Sequence, residues 1–366
     1  MYPFRILTRQ PIRFLLTVAG IALCVILMLF LLSVYGAVAA GSVEYIRNNQ
    51  PDLWVLQRHA TNILRGSSIL TTPHGIALRQ AEGVERAAPV LLFLTVVRRT
   101  EGNATLFLAG YDPASGIGGP PALCAGRAVQ SDEEIVLDRS FAAKYRIAIG
   151  DLVSIRDDSL RVTGISTGTN AFVVQYGFTT LRRAQALLGY PNVVTGYLVT
   201  VRRGHDVAEV ANAIRDDLPG VEVYDGPTFL DNNIREMESG FLPILYAIAA
   251  IGAVVLTSIL TLLLTVIILE SRRDFAVMRA LGSPDRFLRG VVFAQALILS
   301  ASGTAVASLA FPPFATFIEW LTPEVSTQAS TGQSAAVAGV VLAITFLSAW
   351  IAIRRLRGIY PLEAFS

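Results

Sequence analysis

The run FLPILYAIAAIGAVVLTSILTLLLTVIIL, residues 241–269, holds no charged side chain. About 20 apolar residues suffice for a helix to cross the hydrocarbon core, and one arginine at its centre would cost roughly 3 kcal/mol on insertion. A run of this length reads as a membrane span. Three more stretches share its texture: residues 14–43, 290–318 and 325–353 also lack any charge. A buried helix in a soluble core rarely needs more than about 14 such residues in a row. Together they give the class: an α-helical membrane protein with four transmembrane helices.

Composition agrees. The chain has 366 residues, of which 53% are hydrophobic and 16% charged, and its mean hydropathy is +0.53. A soluble domain carries about 25% charged residues, so an ordinary soluble enzyme, a disordered chain, a collagen-like fibre and a disulfide scaffold are all excluded. Net charge is only +2 and the pI is near 8.6, which gives no support to nucleic-acid binding. Cys24 and Cys124 stand far apart with no metal-type spacing.

The basic residues orient the chain. Arg5, Arg9 and Arg13 precede the first run; Arg272, Arg273, Arg279, Arg286 and Arg289 separate the second from the third; Arg354, Arg355 and Arg357 follow the fourth. The short connection between the third and fourth runs has Glu319 and Glu324 and no base. Both termini and residues 270–289 are therefore expected in the cytoplasm, and the long insert outside. AVAAGS at 37–42 has the small residues of a signal-peptidase site. The apolar run before it is far longer than the roughly 7–15 residues of a signal peptide, so an uncleaved signal-anchor helix is expected.

The expected layout begins with a cytoplasmic entry helix at 1–13 and spans at 14–36, 241–269, 290–318 and 334–353. An extracytoplasmic α+β domain with its stalk fills 37–240. A cytoplasmic loop lies at 270–289, a short outer loop at 319–333 and a cytoplasmic tail at 354–366. Within the insert, alternating apolar runs predict strands at 88–97, 104–111, 133–138, 152–155, 195–201 and 221–224, with helices at 140–145, 180–188 and 205–218. No catalytic constellation emerges. His59, His74 and His205 have no partner at ligand or triad spacing, and Ser115 and Ser131 lack an elbow motif. The acidic pairs at 133–134, 157–158 and 216–217 read as solvated turns and helix faces.

The junctions carry more information. Residues 36–49 prolong the first span and acquire Glu44 and Arg47; residues 229–240 run straight into the second. At 1.5 Å per residue each would extend a helix roughly 15–20 Å beyond the bilayer. Flexible tethers would hold more Gly, Ser and Pro, so a paired helical stalk is expected.

The loop LESRRDFAVMRALGSPDRFLRGVVFAQ at 269–295 mixes arginines with Phe275, Val277, Met278 and Leu281. A merely solvated basic loop needs no apolar residues, so a partner surface is expected there. Gly282 is placed to end one helix, and Ser283 or Asp285 to cap the next.

The run ESRRDFAVMRALG at 270–282 resembles the coupling loop of FtsX-like ABC transporter permeases, the MacB/LolC/FtsX group. ILTRQPIRFLLTVAGIAL at 6–23 is similar to that family's entry helix and first span. The segments at 90–113 and 125–155 resemble its MacB-like periplasmic core domain, and RRLRGIYPLEAF at 354–365 its terminal segment. The likeness covers nearly the whole chain. Unlike MacB itself, the sequence shows no fused ATPase: GxxxxGK[ST] does not occur, and Lys144 sits in FAAKYR. Its nearest look-alikes are therefore the stand-alone, DevC-like permeases.

The resemblance implies a permease subunit, itself no enzyme, that couples ATP hydrolysis to motion of the outer domain and export of a substrate by mechanotransmission. It implies a bacterial inner-membrane location and a separate ABC ATPase that binds ATP and Mg. It also implies a second permease copy or paralogue in a dimer and, in the exporter branch, a membrane-fusion or adaptor protein. Matched residue by residue, Glu270, Arg272, Arg273, Phe275, Ala276, Met278, Arg279, Ala280, Leu281 and Gly282 fall on the ATPase-coupling motif; helix packing or headgroup contact is the plainer role for each. No catalytic, cofactor or metal residue is implied in this chain. The rival reading is an FtsX-like regulatory subunit that activates an extracytoplasmic cell-wall hydrolase.

Overall fold

The computed structural model describes residues 11–63, 68–99, 102–169, 175–270, 277–278, 283–321 and 331–356. It comprises two compact units, one running from Ala37 to Phe241 and the other built from the described residues on either side of that stretch. The chain opens with α1 (Pro11–Asn49), β1 (Leu53–Gln57), β2 (Leu70–Thr71) and α2 (Thr72–Gln80). There follow β3 (Val84–Arg99), β4 (Gly102–Tyr111), β5 (Ala122–Gly126), β6 (Glu134–Asp138) and α3 (Arg139–Tyr145). Next come β7 (Leu152–Ile155), β8 (Asp158–Thr167), β9 (Gln175–Thr180), α4 (Leu181–Leu188), β10 (Val193–Val194) and β11 (Gly196–Val201). The chain closes with α5 (Val207–Asp217), β12 (Val221–Asp225), α6 (Gly226–Glu270), α7 (Asp285–Leu321) and α8 (Thr331–Leu356).

Four helices are long and apolar enough to span a membrane, over Phe14–Gly41, Leu242–Glu270, Arg289–Leu321 and Thr331–Arg354. These are the transmembrane helices. Their buried faces repeat every three or four residues: Val18, Ile21 and Val25 on α1, Leu256, Leu260 and Leu264 on α6, and Val292, Ala296 and Leu299 on α7 meet in one cluster. Leu16, Leu262, Leu309 and Phe346 are exposed, as lipid-facing side chains are.

The outer unit is α+β. Its main sheet runs β12-β1-β11-β3-β4-β9-β6-β8-β5, and β7 pairs with both β3 and β8. That double pairing closes β3, β4, β9, β6, β8 and β7 into a ring. A core of Leu106, Leu108, Ile135, Leu137, Val153 and Val162 is drawn from the ring strands. A second core lies where α2 and α5 join the open end of the sheet, around Leu78, Val199 and Ile214. The third is aromatic and includes the outer ends of α1 and α6.

The strands and helices expected from the sequence correspond to β3, β4, β6, β7, β11, β12, α3, α4 and α5. Strands β1, β2, β5, β8, β9 and β10 and helix α2 went unread. Of the acidic pairs, Asp157 lies exposed in a turn and Asp216 and Asp217 on a helix face, as expected, while Glu134 departs from that reading. Glu134 accepts from Arg127 at 2.8 and 2.5 Å, and Asp157 and Asp158 face Arg98 and Arg183 at 3.2 and 3.3 Å. The Arg98–Asp157 pair is itself exposed, whereas the Glu134 side chain is only 13% exposed.

Candidate functional site

Two regions carry the functional argument: the outer ends of α1 and α6, and the segment between α6 and α7. Tyr45 at the end of α1 is 1% exposed. Its ring stacks on Tyr176 at 5.2 Å and meets Trp54 edge-on at 6.4 Å, and its hydroxyl donates to the Gly118 carbonyl at 2.9 Å. One turn on, Asn49 Oδ1 accepts from Gly118 N at 2.8 Å, and Asn48 Nδ2 donates to the Gly168 carbonyl at 3.3 Å. Helix α6 begins with Asp225 Oδ1 accepting from Thr228 N at 2.7 Å, a side-chain cap on its first turn. Phe229 is fully buried, stacked on Trp54 at 4.7 Å and Tyr224 at 5.8 Å. Buried Asn233 accepts from Ile63 N at 3.1 Å and donates to the Phe229 carbonyl at 2.7 Å. Both spanning helices are therefore unbroken from their apolar runs into the same aromatic core. They differ in one backbone feature: α6 contains Pro243, which has no N–H for the carbonyl four residues back.

Beside α1 lies an electrostatic asymmetry. Asp138 caps α3 by accepting from Ser140 N at 2.7 Å and also accepts from Thr169 Oγ1 at 2.7 Å. Burial nevertheless raises its carboxyl above the usual range. Glu44 is raised as well, first by burial and then by the nearby Asp138, against the pull of Arg47. Glu134 behaves oppositely: its bond to Arg127, joined by backbone donors at Gln130 and Ser131, lowers it to about 2. Among the described residues no three His, Cys, Asp or Glu side chains converge to hold a metal.

Of the ten candidate coupling residues, Glu270 and Met278 are described. Arg272, Arg273, Phe275, Ala276, Arg279, Ala280, Leu281 and Gly282 lie outside the described residues. Glu270 is exposed at the end of α6. Met278 is half-buried and packs against the membrane cluster, whereas its neighbour Val277 is 48% exposed. Ser283 N donates to the Met278 carbonyl at 3.0 Å, and α7 begins at Asp285. Phe287, Arg286 and Arg289 on the first turns of α7 are exposed. Sequence reasoning placed Val277 and Met278 together as apolar; the structure separates them by face.

Residues 14–217 match the family model described as MacB-like periplasmic core domain, and residues 246–361 match FtsX-like permease C-terminal. Two uncharacterized ABC transporter permeases of Mycobacterium tuberculosis, from strains CDC 1551/Oshkosh and H37Rv, are each 24% identical over 262 residues. The aligned part is 70% of this chain and 68% of each relative. The periplasmic region of MacB from Actinobacillus actinomycetemcomitans matches 51% of this chain and 94% of that one, at 14% identity and a TM-score of 0.39. The extracellular domain of the noncanonic ABC-type transporter YknZ from Gram-positive bacteria matches 48% and 99%, at 12% identity and 0.37.

Proposed function

Because the chain belongs to the ABC transporter permeases of the MacB/FtsX type, we propose that it is the membrane subunit of an export machine whose ATP is hydrolysed on a separate ATPase subunit. The observation that carries the reading is continuity: α1 and α6 each extend from a membrane span to an anchor, Tyr45 or Phe229, in the outer core. An ATPase loaded with ATP and Mg docks on residues 270–289 in the cytoplasm. Its closure pulls on α6, and the displacement reaches the outer domain as a mechanical signal that extrudes substrate. Two copies, or one copy and a paralogue, form the working dimer in the bacterial inner membrane. Both termini are cytoplasmic, and an outer adaptor protein receives the substrate.

The test is co-purification from native membranes in mild detergent. The chain should bring down an ABC ATPase and show no ATP hydrolysis without it. Val277→Glu or Leu281→Glu should weaken that association at least tenfold, the effect of losing about 1.4 kcal/mol of apolar anchoring, with insertion unaffected. Met278→Glu is a poorer probe, since Met278 packs against the membrane cluster. If Val277→Glu, Leu281→Glu and Arg279→Ala all retain the ATPase as the native chain does, residues 270–289 are not the dock.

A further inference from the structure

Helix α6 carries four serine and threonine hydroxyls within its span: Thr257, Ser258, Thr261 and Thr265. Thr257 donates to the Ala253 carbonyl at 2.7 Å, Ser258 to Val254 at 2.8 Å and Thr265 to Thr261 at 2.7 Å. Each bond runs to the carbonyl four residues back, the ordinary refuge for a hydroxyl inside a helix. Thr261 departs from the pattern: its Oγ1 is buried and has no partner. The carbonyl it would use belongs to Thr257, and Ser348 Oγ of α8 already donates to that oxygen at 3.3 Å. A carbonyl has two lone pairs and the helical ladder uses one. Ser348 and Thr261 therefore compete for the other.

We propose that this competition is an exchange joint, through which α6 parts from α8 without net loss of hydrogen bonds. As α8 withdraws, Ser348 leaves the Thr257 carbonyl and Thr261 takes it. An interhelical bond broken in lipid ordinarily leaves a polar group stranded. Here one hydroxyl holds the Thr257 carbonyl in each arrangement, Ser348 when docked and Thr261 when parted, so the count of bonds does not change. Among the described residues, this is the one interhelical hydrogen bond that the 242–269 part of α6 receives.

The other three helices are tied differently. Thr345 of α8 donates to Ser300 of α7 at 2.8 Å, and Gln333 of α8 donates to the Leu32 carbonyl of α1 at 3.0 Å. Gly303 lets α7 approach α1 so closely that a methyl there would lie 2.5 Å from Ile21 Cγ2. Helices α1, α7 and α8 thus form a fixed body, and α6 is the element that moves against it. This goes beyond the transport reading, and it is tested without an ATPase.

Cys24 supplies the reporter. It is half-buried on α1 and packs against the membrane cluster. One turn further on, Met28 faces α6, its Cε 3.8 Å from where a methyl on Gly252 would sit. Parting of α6 uncovers this face. The full chain carrying Cys124→Ser is placed in lipid nanodiscs, and alkylation of Cys24 by N-ethylmaleimide is timed. Thr261→Val, or Thr261→Ala, should slow labelling at least threefold, because the parted state loses its substitute bond. Ser348→Ala should speed it by a similar factor, because only the docked state loses a bond. Ser258→Ala, whose bond is internal to α6, should leave the rate unchanged, and thermal unfolding should show all variants folded. A plain packing role would push Thr261 and Ser348 variants in the same direction. That result, or unchanged rates in both, overturns the exchange joint.

Discussion

Helices α1 and α6 both run from a membrane span to the outer core, yet they are held in place differently. In the membrane unit α1 is fastened to its neighbours by the close approach at Gly303 and by the bond from Gln333. There, among the described residues, the 242–269 part of α6 receives one interhelical bond, at 3.3 Å, on a carbonyl that lies four residues before the unpartnered Thr261. In the outer unit α1 ends in the stacked Tyr45 ring, in bonds that Tyr45 and Asn48 donate to two loops, and in one that Asn49 accepts. Helix α6 also ends in a stacked ring, Phe229, which has no hydroxyl to bond, and in Asn233. Only α6 has an internal proline, Pro243. The difference teaches that two continuous helices need not be held alike: in the membrane unit α1 is tied by a close backbone approach and a hydrogen bond, and α6 chiefly by apolar packing.

The largest expected effect tests the outer anchors. Phe229 is fully buried between Trp54 and Tyr224, so Phe229→Ala should cost about 3–5 kcal/mol in the outer unit. Tyr45→Phe keeps the ring and removes only the bond to Gly118, which is worth about 1 kcal/mol. Thermal unfolding followed by tryptophan fluorescence should separate the two, since Trp54 touches both rings. Equal losses would mean that α6 is not held chiefly by its ring.

A smaller contrast is set within the membrane. Gly303→Ala forces a methyl against Ile21 and should cost about 1–3 kcal/mol by overpacking. Gly252→Ala on α6 meets only Met28 at 3.8 Å. There the helix-forming advantage of alanine, up to about 1 kcal/mol, should leave stability equal or slightly raised. If Gly252→Ala is the more damaging change, α6 is packed more tightly than α1 and the comparison inverts.

The spans were legible because lipid admits no charge, and 29 uncharged residues in a row have few other uses. The ring strand β9, QYGFTT, was not. It is buried along its whole length, so no alternation shows, and its two threonines find partners far away in sequence. Thr179 donates to the Glu134 carbonyl, and Thr180 to Asp132. The anchors Tyr45 and Phe229 look like any aromatic residue near a helix end until the sheet brings Trp54 and Tyr176 against them. Thr261 has the same spacing from its neighbours as Thr257 and Thr265; only Ser348, 87 positions away in sequence, makes it different. The apolar residues of 270–282 marked a contact region, but their sequence gives no face. Met278 packs toward the membrane cluster while Val277 stays exposed.

The smallest expected effect concerns charge at the two outer turns. Burial and the neighbouring Asp138 raise the Glu44 carboxyl, with Arg47 opposing them. A carboxyl raised on folding destabilises the folded state when ionised, and the penalty disappears as pH falls below the ordinary carboxylate value of about 4.3. Glu44→Gln should therefore melt higher than the native chain at pH 7, and the gap should close near pH 4. On α6 the corresponding charge is Asp231, paired with Arg235 at 2.8 Å in an exposed (i, i+4) bridge. Such pairs are worth about 0.3–0.5 kcal/mol, so Asp231→Asn should change the melting point slightly, in the opposite direction. A Glu44→Gln variant no more stable than native at pH 7, or a gap that persists at pH 4, would show the outer turn of α1 to be electrostatically relaxed. The two helices would then differ by their packing and hydrogen bonds alone.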